Sequence, residues 1–532
     1  MKIASAREMA AVDRHAAERC GVPVAALMEE AGRRVAEAAG LLLGGLAGRR
    51  IALFCGRGNN GGDGFVAARL MREAGAHALA ALAGSRAELR PDAREALAGA
   101  ERAGVACVAC ADEASLAAFA VRAAGADLVV DALLGTGFTP PARGLAAAAI
   151  RGINRLGRPV LAVDLPSGLS ADDGRIGGDA VSATATVTFG YPKRGLVEYP
   201  AAALVGRLWC GDIGLPHETD GVVPGDLNLL TPADLAPQLA PRDPQCHKGT
   251  CGHVLLLAGS RGLVGAAALA ARGALRGGAG LVTVALPASI APPLLPGLPE
   301  AMLLPLPDGG LGTAGPAAAE PLRERLAGAR ALAIGPGLSR TAESAALVCE
   351  IARTATVPLL LDADALHALA VSPAPPTAWR AGPAVLTPHP GEAALLLGTN
   401  AAAVQEDRVA AARRCAARYG AVVVLKGART VVAAPEGTAW LNATGNPGMA
   451  APGMGDVLAG LIAAHLARGI APLEAALLGV HVHGLAGDLA AAAAGPWGLL
   501  ASEVADLIPP ATRRTAEHRE DRPHAKLSLL VA

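Results

Sequence analysis

The sequence predicts an α/β protein built as two different α/β domains. Three observations carry this. The chain has 532 residues, more than one ordinary domain holds. Short runs rich in leucine and β-branched residues alternate with alanine- and leucine-rich helical stretches. Several runs are apolar at nearly every position, as strands covered by helices on both faces are. Third, the stretch from Pro216 to Pro244 holds six prolines and little apolar periodicity, which divides the chain.

In the first half the expected strands are IALFCG, AHALAALAG, VACVAC, DLVVDALLG, RPVLAVDLPSG and TATVTFG. A second α/β pattern runs through GHVLLLAGS, AGLVTVALP, ARALAIGPG, VPLLLDADAL, PAVLTPHPGE and AVVVLKG, and ends in two long helical stretches from Gly455 and Pro472. The expected domains are residues 1–215 and 246–510, with 216–245 as linker and 511–532 as a charged, frayed tail. Polar residues gather in the loops after the strands, where an open α/β sheet places its ligands.

Composition narrows the function. The 47 basic residues balance 47 acidic ones, so nothing marks a nucleic-acid or anionic-membrane surface. The opening MKIASAREMAAVDRHAAERCG lacks the apolar core of a secretory signal. No uninterrupted apolar run reaches membrane-spanning length. Nine scattered cysteines suit a reducing cytosol, and a cytoplasmic location is expected. Cys107 and Cys110 have C-x-x-C spacing without a second pair, and read as packing residues.

The first chemical signal is GRGNNGGDG, Gly56 to Gly64, between an apolar run and a helix. It satisfies G-x-G-x-x-G, but the next strand ends in Ala83-Gly84-Ser85-Arg86, without the acidic residue that holds a ribose in dinucleotide-binding folds. Asn59, Asn60 and Asp63 could simply cap a helix. Their company argues otherwise. Asp131, Asp164, Ser167 and Lys193 lie at other strand ends of the same half. Such oxygen-rich groups can hold a hard cation or move protons.

The segments VDRHAAERCGVPVAALMEEAG, GRGNNGGDGFVAARLM, VVDALLGTGF, VAVDLPSGL and VTFGYPKRGL resemble the NAD(P)H-hydrate epimerase domain over nearly all of residues 1 to 215. That resemblance implies epimerisation of NADHX and NADPHX, dinucleotides whose nicotinamide ring has been hydrated. Asn59, Asn60, Gly61, Gly62 and Asp63, with the loop Gly135, Thr136, Gly137, Phe138, Thr139, Pro140 and Pro141, would hold the substrate. Asn60, Asp131 and Ser167 would ligate potassium. Asp164 would contact the substrate and do acid/base work, assisted by Lys193.

In the second half, CHKGTCGH places Lys248 and His253 around a glycine turn, and loop residues of this kind are commonly just solvated. GNPGMAAPGMGDVLAGLIAAHLARG carries more. Gly453, Gly455 and Asp456 open a helix, whose N–H groups and positive dipole end suit a phosphate. Asp456 could deprotonate an attacking hydroxyl. The absence of a Walker A sequence argues against a P-loop NTPase.

HKGTCGH, GPGLS, LDADAL, LTPHPGE, VVLKGART and GNPGM with GMGD together resemble the ribokinase-like NAD(P)H-hydrate dehydratase, from about residue 246 to 508. The implied fold is an N-terminal Rossmann-like three-layer sandwich plus a C-terminal ribokinase-like α/β domain. The implied reaction consumes S-NAD(P)HX and ADP, the latter with magnesium, and gives NAD(P)H, AMP and phosphate. Lys426, Gly427, Ala428, Arg429, Thr430 and Gly455 would bind ADP. Ala266, Gly337 and His389 would bind the hydrate, with Asp456 as base. A homo-oligomer is the expected assembly.

Two departures from the family pattern stand out: Ala451-Pro452 replaces Thr/Ser-Gly, and His367 replaces the asparagine after DADAL. Proline removes one backbone donor from the phosphate cradle. The competing reading is a ribokinase-superfamily kinase of vitamin-precursor type, fused to a dinucleotide-binding module. It explains neither the N-terminal motifs nor NPGM.

Overall fold

Seven parallel strands, apolar runs that are mostly buried, form the body of the first domain's eight-stranded sheet. They are β1 (Arg50–Cys55), β2 (His77–Ala83), β3 (Ala106–Cys110), β4 (Leu128–Ala132), β5 (Val160–Val163), β6 (Ala185–Phe189) and β7 (Arg207–Gly211). Alternation sorts the side chains. In β1, Ile51, Leu53 and Cys55 enter one core, while Ala52 and Phe54 enter the other, where Phe54 meets Phe119 edge-on at 5.0 Å. Helices cover both faces, giving three layers. The same alternation sends Cys107 and Cys110 to opposite faces, and burial raises both thiols, Cys107 to about 11. They are packing residues.

The computed structural model describes residues 1–292, 297–517 and 526–531. Its two units are Met1–Leu227 with Arg522–Ala532, and Asn228–Asp521. The second unit holds a ten-stranded sheet made from β8 (Leu227–Leu230), β9 (His253–Leu257), β10 (Leu281–Pro287), β11 (Met302–Leu306), β12 (Ala331–Ile334), β13 (Leu359–Leu361), β14 (Val385–Leu386), β15 (Val422–Leu425), β16 (Val431–Ala433) and β17 (Ala439–Asn442). Their order is β11-β10-β9-β12-β13-β14-β15-β16-β17-β8. β15, β16 and β17 form an antiparallel meander on an otherwise parallel core.

Two expectations are corrected here. The 216–245 stretch is not a bare linker: it contributes β8, beside β17, and short helices at Pro232–Leu235 and Ala236–Leu239. Nor does the 511–532 tail simply fray. Ile508–Glu517 is a helix, and β18 (Leu527–Val531) pairs antiparallel with β7 at the edge of the first sheet. Its backbone finds in β7 the hydrogen-bond partners that an isolated tail lacks. Residues 518–525 and 532 of that tail lie outside the described residues.

Pro472–Ala494 is 23 residues long and apolar enough by composition to cross a membrane, although no such span was expected. It is 72% buried over its apolar window, and it packs as a core helix of the second domain.

Candidate active sites

The first sheet runs β18-β7-β6-β5-β4-β1-β2-β3, so strand order reverses between β1 and β4. Ligands of open α/β sheets bind at the carboxyl ends beside such a reversal. Gly56 leaves β1 there and donates its N–H to Ala132 O at 2.9 Å. A Cβ on Gly56 would lie 1.9 Å from Leu133 O, and one on Gly61 would lie 2.0 Å from Gly56 O. Only glycine permits this approach.

Asn59 to Asp63 are not a loop, as the sequence suggested, but the first turns of the helix Asn59–Glu73. Gly58 is its N-cap and offers no side chain, so the exposed N–H groups of the first turn are left for a ligand. Gly135 brings the following loop against this helix, its position 3.2 Å (as a Cβ) from Asn60 Cβ, while Pro140 and Pro141 reach Gly177 and Gly178.

Asp164 follows β5 with φ at 67°, a left-handed conformation that is uncommon for aspartate. Its Oδ1 accepts from Lys193 Nζ at 2.6 Å and from Thr188 Oγ1 at 3.2 Å. Lys193 is 1% exposed. Its ammonium also donates to Thr188 Oγ1 at 2.9 Å and Phe189 O at 3.1 Å, so three donors meet three acceptors. Oδ2 of Asp164 stays outside this network. Asp63 stands near the pair and forms no ion pair among the described residues. Burial, then the Asp164 and Asp13 charges, push its carboxyl well above the usual range. Asp13, on the helix Ala6–Glu18, is raised by the same neighbourhood.

Asp131 is fully buried at the end of β4. Ser167 N donates to its Oδ2 at 2.7 Å and Ser167 Oγ to its Oδ1 at 2.6 Å. Burial lifts Asp131 to about 6 against the pull of these donors. Leu134 N in turn donates to Ser167 Oγ at 2.9 Å. The Leu134-Gly135 step therefore touches both Ser167 and Asn60. The buried Nδ2 of Asn60 has no hydrogen-bond partner among the described residues. Exchanging the amide's O and N turns this orphan into a buried oxygen acceptor. An oxygen-ligated cation fits this set: one amide, one carboxylate and one hydroxyl.

In the second domain a cavity of about 580 Å³ opens at Asp362, His389, Lys426, Asn446, Asp456 and His483. Its floor is an ion pair. Lys426 Nζ donates to Asp362 Oδ1 at 2.7 Å, and Thr387 Oγ1 donates to the same oxygen at 2.7 Å. Asp456, in the first turn of the helix Met454–Ala467, is raised to about 7. Desolvation is the main cause, with Asp362 adding to it and Lys426 opposing it. Gly453, at φ 85°, turns the chain into this helix after Ala451-Pro452. Pro452 precedes the first turn, so the N–H groups of Met454 and Gly455 remain.

The remaining expected residues divide. Gly427, Ala428 and Thr430 line the cavity, whereas Arg429 turns to the Ala443 carbonyl at 2.6 Å. His389 caps the helix Pro390–Leu397: its Nδ1 accepts from Gly391 N at 3.0 Å, leaving the exposed ring at the cavity wall. Ala266 packs on Gly337, where a Cβ would lie 2.9 Å from the alanine methyl, and neither lines this cavity. His253 is a satisfied core residue, bonded to Gly328 O at 3.0 Å and Thr283 Oγ1 at 2.8 Å.

Sequence reasoning missed three groups. Asp362 and Glu392 sit in quoted motifs, but their convergence on Lys426 joins distant segments. Asp488 anchors the NPGM loop, accepting from Gly445 N and Asn446 Nδ2, each at 2.9 Å. His483 lies one turn before it on the same helix. It is 7% exposed, its Nε2 has no partner among the described residues, and burial with the nearby Lys426 lowers it to about 4. It is a neutral acceptor facing the cavity. The spacing of His483, Gly484 and Asp488 on one apolar helix is the signal that could have found them.

The family model for NAD(P)H-hydrate dehydratase matches residues 254–510, and that for the YjeF-related protein N-terminus matches residues 24–195. A bifunctional NAD(P)H-hydrate repair enzyme of Moorella thermoacetica is 46% identical over 521 residues, covering 98% of each chain. One of Thermofilum pendens is 40% identical over 520 residues, with 98% of each chain covered. The crystal structure of an ADP/ATP-dependent NAD(P)H-hydrate dehydratase from Bacillus subtilis, co-crystallised with ATP and magnesium, matches 54% of this chain and 98% of its own, at 36% identity and a TM-score of 0.48. The chain belongs to the family of bifunctional NAD(P)H-hydrate repair enzymes.

Proposed function

We propose that the first domain epimerises hydrated NADH and NADPH, and that the second dehydrates the S form using ADP. The Asp164–Lys193 pair at the strand reversal carries the first reading. The hydrate bears its hydroxyl on the carbon bonded to the ring nitrogen, so its ring can open and close. Asp164, hydrogen-bonded to Lys193, takes the hydroxyl proton. The carbon–nitrogen bond breaks, giving an aldehyde, and protonated Asp63 supplies the nitrogen's proton. Closure on the other aldehyde face, with both protons returned, gives the epimer. A carboxyl raised by burial suits the acid role, and one hydrogen-bonded to a lysine stands beside it. Potassium held by Asn60, Asp131 and Ser167 would offset the buried Asp131 charge and favour the substrate's diphosphate.

Asp456, beside the helix N-terminus, carries the second reading. It removes the proton of the hydrate's hydroxyl, whose oxygen attacks the terminal phosphorus of ADP as the bond to AMP breaks. The ring nitrogen then expels phosphate, and loss of a proton from the adjacent carbon restores the dihydronicotinamide. Lys426, Gly427, Ala428, Thr430 and Gly455 border the space for ADP, and magnesium would offset charge on its diphosphate. Ala266, Gly337 and His389 remain the proposed hydrate contacts.

A base must be unprotonated, so kcat/KM for the S hydrate with ADP is expected to rise with pH through about 7, the Asp456 value. The appearance of dihydronicotinamide absorbance measures this. A flat profile across that range, with chemistry rate-limiting, counts against Asp456 as the base.

A further inference from the structure

The first domain has a cavity of about 310 Å³ over the ends of β1 and β2, reaching across the strand reversal to Leu133 and Leu134 after β4. Gly56, Arg57, Gly84, Ser85, Glu88 and Arg143 line it. The end of β2 shows no acidic residue in the sequence, yet the structure supplies one. Glu88 folds back from the turn Arg86–Glu88. Its Oε2 accepts from Ser85 N at 2.9 Å and Ser85 Oγ at 3.0 Å, and its Oε1 accepts from Arg57 Nη1 at 2.6 Å. Gly84, at φ 141°, leaves room for the pair: a Cβ there would lie 2.8 Å from Arg57 Cδ and 3.2 Å from Glu88 Oε2. A carboxylate at this point of a doubly wound sheet is placed to hold a ribose hydroxyl, and an arginine to hold a 2′-phosphate.

The lining carries one net positive charge, which leaves it open to a phosphate. Arg57 and Glu88 cancel, and no carboxylate among the described residues pairs with Arg143, the N-cap of the helix Gly144–Arg155. Arg86, in the same turn, is held by Glu101. We propose that this cavity is the adenosine-ribose subsite of the epimerase domain, and that Glu88 and Arg57 set its selectivity between hydrates without and with a 2′-phosphate. Glu88 accepts from the free 2′-hydroxyl of one. The 2′-phosphate of the other draws Arg57 off Glu88 and adds Arg143. An ion pair with both side chains about half exposed gives up its partner at little cost. Both hydrates therefore fit one site.

This inference rests on the epimerase reading. The test is epimerisation of NADHX and NADPHX by the full chain and by Glu88→Gln and Arg57→Ala, with unfolding midpoints measured alongside. The readout is the kcat/KM ratio, NADPHX over NADHX. Glu88→Gln is expected to raise it about tenfold and Arg57→Ala to lower it about tenfold, the scale of one hydrogen bond to a charged group. A merely structural role moves both hydrates together, and parallel or absent changes overturn the proposal. Failure of the epimerase reading would look different, with the parent chain inverting neither hydrate. The subsite then stands or falls on binding of 2′,5′-ADP: a calorimetric step present in the parent and lost in Arg57→Ala supports it, and its absence refutes it.

Discussion

Asp164→Asn is expected to lower epimerisation by about two to four orders of magnitude, the usual loss on removing a positioned acid/base group. Dehydration of pure S hydrate is expected to continue, because that chemistry lies in the other domain. The amide keeps the shape of the carboxylate but not its charge. Lys193, with a side chain only 2% exposed, is then left as a buried cation bonded to neutral oxygens alone. Breaking a buried ion pair on one side typically costs about 3–5 kcal/mol. The first domain's unfolding transition should therefore shift to lower temperature. Separate calorimetric transitions of the two domains distinguish lost chemistry from lost folding. If the folded Asn variant still interconverts the epimers at the parental rate, Asp164 is not the acid/base group.

Asp456→Asn is expected to reduce dehydration by about two to four orders of magnitude while epimerisation persists. Its effect on stability has the opposite sign. The folded carboxyl titrates at about 7 against an ordinary 3.8, so folding favours the protonated form. As pH rises from near 4 through about 7, that advantage is lost. The Asn variant carries no such burden, and above pH 7 its second domain should be at least as stable as the parent's. A destabilised but still active variant would contradict both parts of this argument.

The strands that sequence made legible are β1 to β6, β9, β10 and β12 to β15, because their apolar runs are dense. The exceptions lie towards the sheet margins. β11 ends the second sheet on one side, and β16 and β17 are antiparallel strands towards its other side. β7 is the last of the parallel strands, β8 is four residues in a proline-rich stretch, and β18 follows a charged segment. Nothing local marks these as strands; a neighbour in the fold does.

The sites divide in the same way. Asp131, Asp164, Ser167, Lys193 and Asp456 could be named because loops after strands and helix starts are where chemistry collects. What each one touches could not. Lys193 reaches Asp164 across 29 residues and Lys426 reaches Asp362 across 64. Glu88 was invisible as a ribose acid because it lies beyond its strand and returns through a turn. Its apparent absence weakened the dinucleotide fingerprint for a reason that the folded chain removes.

The central claim is that one chain converts both epimers, the first domain feeding the second. The most direct measurement starts from the pure R epimer of the hydrate and ADP, with AMP and the restored dihydronicotinamide followed together. The intact chain should consume all of the R hydrate and yield the two products in equal amounts, whereas Asp164→Asn should stall with the R hydrate unconsumed. AMP appearing without restored dihydronicotinamide, or R hydrate persisting with the intact chain, would contradict it.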